Sequence, residues 1–96
     1  MYSVYILYSP ALNKYYVGTT DNIANRIIEH NTKFHKGAFT NRGIPWELFF
    51  SIEELSSKQA FSIERHIKSM KSTSYIIRLK ENELLVHRLK TKFISS

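Results

Sequence analysis

The stretch KYYVGTTDNIANRIIEHN, Lys14 to Asn31, decides the fold. Its first part, Lys14 to Thr19, is rich in tyrosine and β-branched residues and reads as a strand. Gly18 falls inside it, where a bulge or the close approach of another backbone is expected. Asp21 stands in an N-cap position, and the apolar residues after it recur at helical spacing, which predicts a helix to about Phe34. A strand that runs into an amphipathic helix implies a sheet for that helix to cover.

Upstream, Tyr2 to Tyr8 reads as a second strand, apolar on both faces and therefore central. Ser9-Pro10 and Asn13 mark a turn, so the two strands are expected to form a hairpin with a loop of about five residues. Downstream, residues 35–45 hold Gly37, Gly43 and Pro45 and read as a loop; Trp46 to Ile52 reads as a third strand. Ser56 with Gln59 makes a capping-box pattern, which predicts a long helix to about Met70. Ser72 or Thr73 restarts a helix to about Lys80, and a further helical segment runs from Asn82 or Glu83 to about Lys92. The fold class is α+β: a small three-stranded, mostly antiparallel sheet flanked by helices, in the order β-β-α-β-α-α with a last helical extension.

The 96 residues suffice for one domain and not two, so 1–96 is expected to be a single unit. There is no cysteine, which excludes a disulfide framework, a cysteine-ligated zinc site and thiol catalysis. The apolar run Val4 to Tyr8 is far too short to span a membrane and no basic leader precedes it, so no membrane association and a cytoplasmic location are expected. The net charge is +6. Residues 1–57 carry 5 basic and 5 acidic side chains; residues 58–96 carry 9 and 3, so the whole surplus lies in the second part. Such one-sidedness points to a polyanionic partner, against the plainer reading of a solvated basic helix surface.

At 100° per residue, Ile23, Ala24, Ile27, Ile28, Asn31 and Phe34 form the stripe of the first helix expected to face the sheet. Arg26, His30 and Lys33 line its edge. On the second long helix, Ala60, Ile63, Ile67 and Met70 form the stripe, and Glu64, Lys68 and Lys71 line an edge. Glu64 and Lys68 have the favourable i, i+4 order for an ion pair, which alone would explain both. Tyr5 and Tyr16 are expected to project from the hairpin. His66 and His87 read as surface helix residues.

Two phenols, a guanidinium, an imidazole and a carboxylate at the edges of elements suit phosphodiester cleavage. That reaction needs an activated water and charge stabilisation on phosphorus. An arginine fork matches phosphate oxygens. One carboxylate can hold a hydrated Mg²⁺. A phenol near a cation can have its pKa lowered, and a histidine beside it can relay the proton. No glycine-rich phosphate loop, HExxH pattern or nucleophile elbow occurs.

The sequence resembles the GIY-YIG nuclease superfamily, and within it the small stand-alone bacterial-type members. Ser3-Val4-Tyr5 stands where the first signature triplet is expected, with serine in place of glycine; Tyr16-Val17-Gly18 is close to the second. Arg26 to Asn31 resembles the family's arginine-to-His-Asn stretch. Phe39-Thr40 through Pro45-Trp46 resembles its loop and third strand, and Ile63 to Lys68 resembles the helix that carries its metal-binding glutamate. The resemblance spans about residues 2–79. It implies catalytic roles for Tyr5 (general base or orientation of water), Tyr16 (scissile phosphate or metal-bound water), Arg26 (transition state), His30 (proton transfer) and Glu64, with Glu64 holding one divalent ion, Mg²⁺ or Mn²⁺. The implied activity is cleavage of DNA, in structured, damaged or single-stranded form, in repair or recombination. Lys33, Lys36, Arg42, Lys68 and Lys71 are the expected nucleic-acid contacts. The alternatives are a nucleic-acid-binding module that does not cut, and an adaptor. A protein partner that supplies specificity is compatible with the absence of an appended DNA-binding region in these residues, and a monomer is the default.

Overall fold

A computed structural model describes residues 1–32 and 39–94. Three strands, β1 (Tyr2–Ser9), β2 (Lys14–Thr20) and β3 (Glu47–Leu55), form one sheet in the order β2-β1-β3. Both pairings are antiparallel. Four helices accompany them: α1 (Ile23–Asn31), α2 (Ser57–Met70), α3 (Thr73–Glu81) and α4 (Glu83–Lys92), with a 3-10 turn at Phe39–Gly43. No described helix is long and apolar enough to cross a membrane.

β1 is central for the expected reason. Val4, Tyr5, Ile6 and Leu7 are all buried, because helices or loops cover both faces of the sheet. On one face Val4, Ile6, Val17, Ile52 and Leu55 meet Ala60, Ile63 and Ile67 of α2, then Ile76, Leu79 and Leu89 of the last two helices. On the other, Tyr5, Leu7 and Trp46 meet Ile23 and Ile27 of α1. The first face is aliphatic and thick; the second is aromatic and thin.

Local hydrogen bonding sets the boundaries. The Ser56 hydroxyl accepts from Gln59 N at 3.1 Å while the Gln59 side chain accepts from Ser56 N, the reciprocal cap read from the sequence. Gln59 Nε2 also donates to Lys90 O at 2.9 Å and so ties α4 to the start of α2. Ser72 caps α3 and Asn82 caps α4.

Several expectations need correction. The N-cap of α1 is Asn22, not Asp21: the Asn22 side chain accepts from Asn25 N at 3.0 Å. The helix ends at Asn31, short of Phe34, which lies outside the described residues. Asn31 turns its amide to the backbone of Trp46, taking Trp46 N at 2.6 Å and giving Nδ2 to Trp46 O at 2.9 Å. The hairpin loop covers residues 10–13, one shorter than read, with Asn13 at φ 52° closing it. β3 runs beyond Ile52 to Leu55, since register shifts against β1 let it continue to pair. Ala24 and Ile28 are exposed, as is Met70 at the C-terminal end of α2. Periodicity alone had placed them inward.

The Asn31 clamp joins the end of α1 to the start of β3. Asn31→Ala should cost roughly 1–3 kcal/mol, because both Trp46 backbone groups lose their partner. Asn31→Asp keeps one acceptor but cannot donate to Trp46 O, so it should be nearly as harmful in urea unfolding at neutral pH. Wild-type stability in either variant would show that the clamp adds nothing.

Candidate active site

The site forms on the thin aromatic face, at the edge where β2 leaves it open. In the register, Tyr5 lies opposite Gly18 and Leu7 opposite Tyr16, so both tyrosines share one face. The Tyr5 ring crosses Gly18. A Cβ there would fall 2.8 Å from the ring's Cε1 and closer still to Cζ and the hydroxyl. Gly18 is therefore the close approach read from the sequence, but what approaches is a side chain.

Tyr5 does not project; it is fully buried. Its hydroxyl meets His30 Nε2 at 3.2 Å. The His30 ring stands 4.8 Å from the Tyr16 ring, edge-on, and 6.4 Å from the Trp46 ring. His30 is thus a buried member of the inward face of α1, not an edge residue. Arg26 lies one turn before it. Its Nη1 donates to Glu29 at 2.9 Å, its side chain is 39% exposed, and its Nε is buried with no partner among the described residues. The inward face of α1 is therefore Ile23, Arg26, Ile27 and His30, and the two polar residues are held there by the Tyr5 phenol.

Burial pushes the Tyr5 phenol up to about 12, above its ordinary 10.0; the adjacent Arg26 guanidinium pulls the other way but does not win, and the nearby Tyr16 and Glu64 add to the rise. The expectation of a lowered phenol pKa is overturned: desolvation outweighs the cation. Arg26 is itself held more firmly protonated, first by Tyr5 and then by Glu29.

Glu64 comes from α2, on the other side of the sheet. Its Oε1 accepts from Thr19 Oγ1 at 2.5 Å and its Oε2 from Lys68 Nζ at 2.5 Å. Thr19 is the residue after Gly18, so the β2 edge brings Glu64 to the same end of the site as Tyr5. The carboxylate is mostly buried and Lys68 mostly exposed. Among the described residues no three histidine or acidic side chains group as a closed metal site. A single carboxylate fits a hydrated divalent ion that keeps most of its waters.

Of the expected nucleic-acid contacts, Lys68 and Lys71 are exposed along the α2 edge and Arg42 is exposed on the 3-10 turn. Lys33 and Lys36 lie outside the described residues. Three supporting residues were missed. Glu29 was findable, since it sits three residues after Arg26 on one helix. Thr19 and Trp46 carry no local signal, because their partners are remote in sequence. His66 is not a plain surface residue: its Nε2 is 3.0 Å from the Tyr75 hydroxyl, and burial with the charge of Lys92 lowers its pKa.

The raised Tyr5 pKa has a definite sign for stability. The folded state holds the phenol proton that the unfolded chain releases near pH 10.0, so this contribution is complete below that pH and is lost as pH climbs towards 12. Tyr5→Phe should therefore flatten the alkaline fall in stability between those values, by roughly 2–3 kcal/mol at most. An unchanged alkaline profile would place the Tyr5 hydroxyl in water. Gly18→Ala should displace the Tyr5 ring and lower the melting temperature more than Val17→Ala per atom changed; a wild-type melt would remove the close approach.

Comparison with protein families gives one match: the profile of the GIY-YIG catalytic domain covers residues 1–76. Neither curated proteins nor solved structures give a match. The matched region takes in both tyrosine strands, α1, β3, α2 and the start of α3, and with them every residue of the site described above. Domains of this family are nucleases, which act on nucleic acid and generally use a divalent metal ion. The chain belongs to the GIY-YIG nuclease superfamily.

Proposed function

We propose that the chain is a divalent-metal-dependent endonuclease that hydrolyses phosphodiester bonds in DNA, with Tyr5, Tyr16, Arg26, His30 and Glu64 as its working residues. One observation carries the reading: a buried phenol bonded to an imidazole, beside a guanidinium whose buried Nε has no partner among the described residues. A structural tyrosine needs no second charged neighbour, and an unspent buried donor costs stability unless a ligand uses it.

The proton path follows from the pKa. At neutral pH the Tyr5 phenol is protonated, so it cannot act as a phenolate base in advance. It acts as a relay. As the attacking water forms its bond to phosphorus, its proton passes to Tyr5 Oη while the Tyr5 proton passes to His30 Nε2. The bond from phosphorus to the leaving oxygen breaks, and that oxygen takes its proton from solvent. Arg26 Nε donates to a non-bridging phosphate oxygen, and the Arg26 charge stabilises the negative charge that gathers on the phosphate. The Tyr16 hydroxyl, on the same face, is positioned to orient the phosphate or the water. Glu64 would hold a divalent ion, Mg²⁺ or Mn²⁺, which would supply further neutralisation of the phosphate.

The decisive comparison is between Glu64 and Lys68, which pair at 2.5 Å. If the pair were only structural, both Glu64→Gln and Lys68→Gln would leave cleavage intact, with the larger stability cost at the mostly buried Glu64. On the nuclease reading they part. Glu64→Gln should abolish cleavage and weaken metal binding while DNA binding persists or tightens. Lys68→Gln should still cut. Metal titration, DNA binding and cleavage on duplex, single-strand, flap and junction substrates and on RNA, with Mg²⁺ and Mn²⁺, give the readout. Ordinary Mg²⁺-dependent cutting by Glu64→Gln would leave the binding-module reading as the better one. Arg26→Lys should cut at least tenfold more slowly than wild type, since a point charge replaces the fork; full activity would return Arg26 to a mere partner of Glu29.

A further inference from the structure

Past Glu64, the edge of α2 continues over β2 to Lys68 and Lys71. There a cavity of about 420 Å³ opens between the outer edge of β2 and the junction of α2 with α3. Val17, Ile67 and Ile76 in its lining are buried, whereas Lys14, Lys68 and Lys71 are exposed. These lysines come from the start of β2, the body of α2 and its C-cap, and among the described residues no acidic side chain lines the cavity. Tyr16 and Lys68 belong both to this lining and to the neighbourhood of the candidate site, so the two are continuous.

Lys71 carries a second signal. It closes α2 in the left-handed region, φ 47° and ψ 43°, where glycine is the favoured residue and a Cβ is unfavourable. A lysine in a backbone position that favours glycine points to a use for its side chain. Lysines without an arginine suit a phosphate met as a point charge, not gripped by a planar fork. From Glu64 to Lys71 the helix advances roughly 10 Å, at about 1.5 Å per residue. That is about three phosphate steps along the axis of a duplex strand.

We propose that this cavity binds a second, uncleaved phosphodiester of the substrate strand, one to three nucleotides from the scissile bond, through Lys71 and Lys14. The inference rests on the nuclease reading. It makes strand continuation on that one side of the cut a requirement for good substrates, with Lys68 bridging the two phosphates.

The test uses the full chain with Mg²⁺ and oligonucleotides carrying one neutral methylphosphonate at successive positions around the cut. In wild type, one position within three nucleotides should raise KM about five- to tenfold with kcat changed less than twofold. Lys14→Gln/Lys71→Gln should show the raised KM already and no further penalty at that position. Lys58→Gln, at the far end of α2, should keep the penalty. The slope of log affinity on log salt should fall by about 0.7 to 0.9 per lysine removed. Lys71→Gly should melt no lower than wild type yet bind several-fold more weakly, which a purely structural lysine would not do. Penalties that simply add at every position would overturn the cavity assignment. So would cleavage that demands a phosphate monoester at a strand end, which would make the ligand a terminal phosphate. The same methylphosphonate series read by equilibrium binding without metal needs no cutting. A chain that binds with the expected position dependence but never cleaves would therefore sink the nuclease reading alone.

Discussion

The Tyr5 ring lying across Gly18 is the constraint on which the rest of the site depends. β1 is the middle strand, so a side chain on it cannot reach an edge unless its neighbour makes room. Gly18 makes that room, and the phenol reaches His30 only because of it. The hydrogen bond then fixes the rotation of α1 about its own axis, bringing Arg26 inward with His30 and leaving Ala24 and Ile28 outside. One missing methyl on β2 thus decides which face a neighbouring helix presents.

Much of the architecture was legible because its determinants are local. The reciprocal Ser56 and Gln59 cap, the restart at Ser72 and the central character of β1 each depend on residues a few positions apart, and each is present. The rotation of α1 was not legible. Hydrophobic periodicity favours Ala24 and Ile28, and only a partner twenty-five positions away, Tyr5, reverses that preference. The same holds for the link between Thr19 and Glu64, forty-five positions apart. The Glu64–Lys68 pair was legible as a pair. Its placement beside the tyrosines was implied only by family resemblance, because helical spacing says nothing about which strand a helix edge will overhang.

Desolvation and charge pull the site in opposite directions. The closed aromatic surroundings of Tyr5 raise its pKa, while Arg26 works to lower it. A phenol that stays neutral can give up its proton only to a group within reach, and His30 Nε2 is the one its hydroxyl meets. Burial also strengthens whatever charge develops on the fully buried Tyr5.

The two faces of the sheet are not independent, because Glu64 follows Ile63 on α2. Ile63 is fully buried in the aliphatic core, and its neighbour in sequence reaches round the β2 edge to Thr19. The carboxylate is therefore set by how α2 seats on Val4, Ile6 and Val17, through contacts that no substrate ever meets. Core volume and carboxylate position become one variable. Along α2, a substitution that changes the volume of the hydrophobic interior therefore also moves the carboxylate, whereas the exposed positions Ala24 and Ile28 on α1 touch neither.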